Sequence, residues 1–315
     1  MAWLSYGTEL HSKLREFVLL DIDLVAPGLE RIVGSEPPLD QIAHGLYFGE
    51  GPVWDRRQQR FLWVDIIGDT IWQWKAGVGQ EVLIHPSRHA NGMTFDREGR
   101  LNVAGWSART IWRVEKDGSI VTIASHYQGK KFNSPNDIVV RSDGIVYWTD
   151  SAGGLVIPGM VGEDLQRQLD VQAVFCVMPS GEVKLVVDDT VYPNGLCFNP
   201  DESILYVNDT RLGLIRAFDV NPDGSVRNDR LFHKLTGNEP GVADGMKVDQ
   251  EGNVYCTGPG GIHVVDRHGQ LLGRLRIPGH STNLAWGDHD WRSLYVTTYH
   301  CVFRTRLNIP GVPVW

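Results

Sequence analysis

The chain has 315 residues, 42% of them hydrophobic and 22% charged, the make-up of a globular protein with room for one large domain or two. A formal net charge of −8, with no Lys/Arg-rich run, excludes a nucleic-acid backbone as partner. No apolar stretch approaches the roughly 20 residues of a membrane helix, so no membrane span is expected.

Residues 1–28 read as an N-terminal extension. Residues 1–17 have neither the basic start nor the unbroken apolar core of a signal peptide. The four cysteines, Cys176, Cys197, Cys256 and Cys301, lie far apart in apolar runs and form no CxxC or other metal spacing. A cytoplasmic chain with buried, reduced thiols is the expectation.

From residue 29 to 315 a single pattern recurs six times, which predicts one domain. The copies begin EGPVWDRRQQRFLWVD at Glu50, NGMTFDREGRLNVAG at Asn91, NDIVVRSDGIVYWTD at Asn136, NGLCFNPDESILYVND at Asn194, DGMKVDQEGNVYCTG at Asp244 and TNLAWGDHDWRSLYVTT at Thr282. In each, an alternating strand such as Met93/Phe95 or Met246/Val248 is followed by turn residues and a second apolar strand, the pattern of a hairpin. The copies start 38 to 58 residues apart, where a four-stranded propeller blade takes roughly 40–50. Each also has room for two outer strands, as in Thr70–Trp74 with Glu81–Ile84. The predicted fold is all-β: a six-bladed β-propeller with four antiparallel strands per blade. An open ring would leave an unpaired sheet edge. The sixth copy ends after its third strand, Val302–Leu307, so an N-terminal strand is expected to close it, with Leu29–Val33 as the candidate. The longest step carries a Gly-rich insertion between Asp150 and Val174. Long loops on a rigid scaffold often shape a binding site, and a surface excursion without a role is the other reading.

In a propeller the innermost strands start beside the central axis, so equivalent heads converge although they are distant in sequence. Here they read Glu50, Asn91, Asn136, Asn194, Asp244 and Thr282, and every one offers an oxygen. Taken singly, Asn-Gly or Asp-Gly reads equally well as a turn dipeptide. Taken together they point to a metal site. The turn residues lie later, in the DREG, RSDG and DQEG stretches, and a carboxylate in a narrow channel is costly unless a cation meets it. Carboxylate and amide oxygens without His or Cys suit a hard divalent ion. Ca²⁺ is favoured, with Mg²⁺, Mn²⁺ or Zn²⁺ as alternatives. Asp65, Asp150 and Asp209 end second strands on the same face, where capping their own turns is the commoner role and orienting ligands the rarer one. His89, two residues before Asn91, is a candidate substrate contact or a solvated loop histidine. No GxSxG, HExxH, P-loop or GxGxxG motif is present.

The sequence resembles the regucalcin (senescence marker protein)/gluconolactonase family of metal-dependent six-bladed propellers. The resemblance runs from about residue 29 to 307 and rests on Glu-Gly-Pro-Val-Trp at 50–54, Pro-Asn-Asp at 135–137, Pro-Asn-Gly at 193–195 and Asp-Gly-Met at 244–246, in that order and spacing. It implies one Ca²⁺-type metal held by Glu50, Asn136, Asn194 and Asp244, hydrolysis of a sugar (aldono)lactone, Asn91 as a substrate contact rather than a ligand, and no ligand role for Thr282. Residues 1–28 and 151–173 lie outside it. The expected mechanism has the metal polarising the carbonyl and Asp244 acting as general base, with Asn136 also touching substrate. Two alternatives stand beside it: a phosphotriester or other ester hydrolase of the diisopropylfluorophosphatase type, and a non-catalytic, metal-stabilised binding module.

Overall fold

The computed structural model describes residues 18–160 and 162–315. Six antiparallel sheets stand around a common axis. Blade 1 comprises Gly49–Asp55, Arg60–Asp65, Thr70–Lys75 and Gly79–Ile84; blade 2 comprises Ala90–Phe95, Leu101–Gly105, Thr110–Val114 and Ile120–Ala124. Blade 3 comprises Ser134–Val140, Val146–Ser151, Gln172–Val177 and Val183–Thr190; blade 4 comprises Pro193–Phe198, Ile204–Asp209, Leu214–Val220 and Val226–Lys234. Blade 5 is Met246–Val248, Val254–Gly258, Gly261–Val265 and Leu271–Arg276, with Asp21–Leu24 added as a fifth, outermost strand. Blade 6 is Ser281–Gly287, Ser293–Thr298 and Cys301–Arg306, completed by Leu39–His44. Each innermost strand packs on the next, and that of blade 6 packs on that of blade 1. The chain is a six-bladed β-propeller.

The closing strand comes from the N-terminal side, but from a different segment than expected. Leu29–Val33 is a short helix rather than a strand. Its buried residues Leu29, Ile32 and Val33 recur at i, i+3 and i+4, one face of a helix, and glycines with positive φ bound it at 28 and 34. Leu39–His44 instead pairs antiparallel with the third strand of blade 6, from Leu39↔Thr305 to His44↔Cys301, with a β-bulge between Gln41 and Ala43 that lets Leu39 and Ala43 both be buried, in the two seams flanking the blade. The helix packs into the seam between blades 5 and 6.

Apart from Leu155 in the insertion, the buried apolar side chains described fall into six clusters, one in each seam between neighbouring blades. Both faces of every inner strand are therefore covered, which is why Gly49–Asp55, Ala90–Phe95 and Ser281–Gly287 are buried along their whole length. The four cysteines are free, with Cys176, Cys197 and Cys256 buried. Among the described residues no helix is long and apolar enough to cross a membrane.

Candidate active site and metal centre

The start of each inner strand reaches the axis, and the structure brings five of the six predicted heads to one place. Glu50, Asn91, Asn136, Asn194 and Asp244 line a single cavity of about 500 Å³. The sixth, Thr282, is fully buried, and its hydroxyl donates to the Gly49 carbonyl at 2.6 Å, stitching blade 6 to blade 1.

The residue after a head explains much of the motif. A Cβ at Gly195 would lie 2.3 Å from the Asp244 carbonyl oxygen, and one at Gly245 would lie 2.0 Å from the Asn283 side chain. Neighbouring inner strands approach so closely at the axis that only glycine fits. The Asn-Gly and Asp-Gly pairs are therefore packing requirements and not turns. Blades 3 and 6 lack that glycine. There Asp137 and Asn283 fold back on the next backbone N–H, at Ile138 (2.9 Å) and Leu284 (2.8 Å). Lys247 Nζ reaches both, at 3.4 Å from Asp137 Oδ2 and 3.5 Å from Asn283 Oδ1.

A lattice of side chains holds the heads in place. The Thr149 hydroxyl accepts from the Asp137 N–H (3.0 Å) and donates to the Asn194 carbonyl (2.6 Å), linking blades 3 and 4. Asn208 does the same between blades 4 and 5, accepting from the Gly195 N–H and donating to the Asp244 carbonyl at 2.5 Å. The Thr257 hydroxyl accepts from the Asp244 N–H at 3.0 Å. Thr210 fixes an amide orientation. Its one hydroxyl proton goes to the Ala243 carbonyl (2.6 Å), so it must accept from Asn194 Nδ2 (3.1 Å), which leaves Asn194 Oδ1 as a free acceptor.

The electrostatics favour a cation. Glu50 and Asp244 are 2% and 9% exposed. Burial pushes the Glu50 pKa up to about 7, against hydrogen bonds from the Gly51 N–H (2.7 Å) and Asn283 Nδ2 (2.9 Å), both to Oε2. Asp244 is held well above the ordinary carboxylate range, by burial first and then by the charges of Glu50 and Asp137. Among the described residues Glu50 Oε1 accepts no hydrogen bond, and Asn91 Oδ1 is buried without a partner. Asn136 Oδ1 accepts from Asn91 Nδ2 at 3.3 Å and keeps a second lone pair. Two carboxylates and unpaired amide oxygens in a desolvated site match a hard divalent ion. Among the described residues no three His, Cys, Asp or Glu side chains gather as a metal site. The charge here comes from two carboxylates, with amides supplying the other oxygens.

The three strand-end aspartates cap loops. Asp65 accepts from the Tyr47, Phe48 and Gly68 N–H groups, Asp209 from those of Val191, Tyr192, Arg211 and Leu212, and Asp150 from that of Asn133. His89 does not line the cavity; its Nδ1 is engaged with the Ile66 carbonyl at 2.8 Å. The ring that does line it is His280, stacked 4.5 Å from Tyr299, which in turn lies 4.5 Å from Phe48. Burial lowers the His280 pKa. Neither His280 nor Arg211 carries a local motif, so the sequence offered no signal for them. The insertion contributes Val156, Ile157 and Met160 to the wall. Its helix, Gly153–Val156, is wedged so tightly that a Cβ at Gly153 would lie 2.3 Å from both Trp106 and the Tyr192 hydroxyl.

The family model for the SMP-30/gluconolactonase/LRE-like region matches residues 48–300. A gluconolactonase of Zymomonas mobilis is 30% identical, over 91% of this chain and 86% of that protein. The regucalcin of Danio rerio is 25% identical, over 84% of this chain and 92% of that protein. The solved structure of a gluconolactonase from Xanthomonas campestris superimposes with a TM-score of 0.85 at 30% identity, covering 92% of this chain and 97% of that one.

Proposed function

The chain belongs to the SMP-30/gluconolactonase/LRE-like family, and on that premise we propose that it is a metal-dependent lactonase opening a sugar (aldono)lactone, with Ca²⁺ as the ion. The observation that carries this reading is the pair of buried carboxylates, Glu50 and Asp244, meeting the amide oxygens of Asn136 and Asn194 in a cavity that is open to one side. The gluconolactonases among its relatives supply the substrate class.

Glu50, Asn136, Asn194 and Asp244 would hold the ion, which when bound supplies Lewis acidity toward the lactone carbonyl. Asp244, relieved of the neighbouring negative charge of Glu50 once that site is filled, would stay ionised and able to act as a base. Asp244 takes a proton from the attacking water as the oxygen adds to the carbonyl carbon. It returns that proton to the ring oxygen as the acyl C–O bond breaks, giving the open hydroxy acid. Asn91 and Asn136 contact the substrate, Asn91 through its unpartnered Oδ1. The stacked Tyr299 and His280 rings, with Phe48 tilted against Tyr299, offer an aromatic wall against which a sugar ring can lie.

Asp244→Asn is expected to lower kcat by ~10²–10⁴-fold, the usual worth of a general base, measured by acid release from aldonolactones in excess Ca²⁺. Full activity in that variant removes Asp244 from the role. A Ca²⁺-loaded wild type that opens no lactone, but cleaves a phosphofluoridate, replaces the reading with the ester hydrolase alternative.

A further inference from the structure

The cavity wall carries one formal charge outside the axial cluster. Arg211 is exposed at the rim, and among the described residues its guanidinium makes no ion pair and no side-chain hydrogen bond. It lies 6.0 Å from the centre of the Tyr192 ring. It follows Thr210, the residue that orients Asn194, so the rim loop of blade 4 is tied directly to the axial set.

Arg211 also faces a second space. A groove of about 350 Å³ between blades 3 and 4 is lined by Ala152, Val156, Gln172, Val191, Tyr192 and Arg211. It shares Val156, Tyr192 and Arg211 with the main cavity, so the two adjoin along those three side chains. Both groove valines are well exposed, Val156 at 69% and Val191 at 47%. The Gln172 amide is already used, accepting from the Ala152 N–H (2.7 Å) and donating to the Val191 carbonyl (2.5 Å). The groove therefore offers apolar walls and one unpaired guanidinium, with no acid to oppose it.

A neutral substrate would leave the positive charge of this group unmatched, though it could still use its donors. With a divalent ion on the axis, the charges of Glu50 and Asp244 are balanced and Arg211 sets the field at the mouth. Its planar fork of donors suits a carboxylate, sulfonate or phosphate ester, all of which it binds bidentately.

We infer that the site is built for a lactone bearing an anionic substituent remote from the carbonyl, which lies in the groove between blades 3 and 4, and that Arg211 is the residue that selects it. This rests on the lactonase reading and narrows its substrate class.

The test uses six-carbon δ-lactones that differ only at C6: hydroxyl, carboxylate, phosphate ester or sulfonate. They are assayed on the Ca²⁺-loaded wild type, Arg211→Ala and Arg211→Lys. Calorimetry with the corresponding lactams, which do not open, gives binding independently of turnover. The expected result is a kcat/KM advantage of roughly ten- to a hundredfold for the acidic lactones, the worth of one charge-assisted hydrogen bond. Arg211→Ala abolishes that advantage with the neutral lactone unaffected, and Arg211→Lys retains part of it. Hydrolysis with no preference at C6, or a preference that survives Arg211→Ala, overturns the inference and leaves the lactonase reading standing. No hydrolysis, but lactam binding with the Arg211-dependent preference, overturns the reading and sustains the anionic subsite. Loss of both overturns both. The rank order among the three anions identifies which one fits.

Discussion

At the scale of single residues, burial decides the charge state of the groups that matter. His263 is fully buried beside the Pro259 carbonyl, to which its Nε2 donates at 2.9 Å, while its Nδ1 has no partner among the described residues. Burial pushes its pKa down to about 4 from the ordinary 6.5. Between those values the unfolded chain binds a proton that the folded chain refuses, so stability falls as pH drops through that window and is fully retained above it. The loss is up to about 1.4 kcal/mol per pH unit from this one group. His263→Gln keeps a donor for Pro259 and has nothing to titrate. Its urea-unfolding free energy between pH 6.5 and 4 is expected to fall less steeply than the wild type by up to that amount. An unchanged slope would exclude His263 as the source. At the axis the reasoning has the opposite sign, because Glu50 and Asp244 are carboxyls whose charged forms are penalised. There the structure asks for a counter-charge, which is the physical ground for proposing a metal.

At the scale of elements, the inner strands are held by contacts that each local sequence only half encodes. Gly195 sits where the start of blade 4 meets the Asp244 carbonyl, and its own N–H donates to that carbonyl at 3.1 Å. Gly195→Ala must push the two strands apart, since the obstructing atom is backbone and cannot swing away. A cost of about 1–3 kcal/mol is expected, as for other overpacked sites, together with weaker Ca²⁺ binding because Asn194 and Asp244 separate. Denaturant unfolding and calorimetric titration on one preparation check both effects. Wild-type stability in the alanine variant would mean that the strands have room to part. The insertion after Ser151 shows an element gaining its role from its neighbours. Its two glycines, 153 and 154, let the backbone lie against Trp106, and this sets Val156 at the border between cavity and groove.

At the scale of the whole molecule, a ring of six blades needs two closures. One is strand pairing: Leu39–His44, which precedes blade 1 in the chain, completes blade 6, so the hydrogen bonds of one sheet join the start of the ring to its end. The other is the axis itself. The four candidate ligands come from blades 1, 3, 4 and 5, so an ion there ties together blades that are remote in sequence. An ion bound only by the folded ring stabilises it by mass action, about 2.7 kcal/mol at a hundred times the dissociation constant. The melting temperature is expected to rise with Ca²⁺ and to fall on chelation, and Glu50→Gln should blunt that response. A melting temperature indifferent to chelator and to added Ca²⁺ would show that the cluster holds no such ion.

Much of this was written locally and repeated. Six copies of a hairpin with a polar head predicted the blades, their number and the meeting of Glu50, Asn91, Asn136, Asn194 and Asp244, because a repeat that cannot bury its own face must stack on its neighbours and so brings equivalent positions to one axis. Non-repeating features were decided only in three dimensions. Leu29–Val33 and Leu39–His44 are both short and mix apolar with polar residues, and pairing with blade 6 selected the second as the closing strand while the first folded as a helix. His89 stood closer to a head in sequence, yet its ring turned to the Ile66 carbonyl, while His280, Tyr299 and Arg211 reached the cavity from loops of blades 4 and 6 and the turn leading into blade 6. Periodicity fixes what every blade shares; which side chain a loop presents at the rim depends on packing between blades, and no single stretch of sequence contains that information.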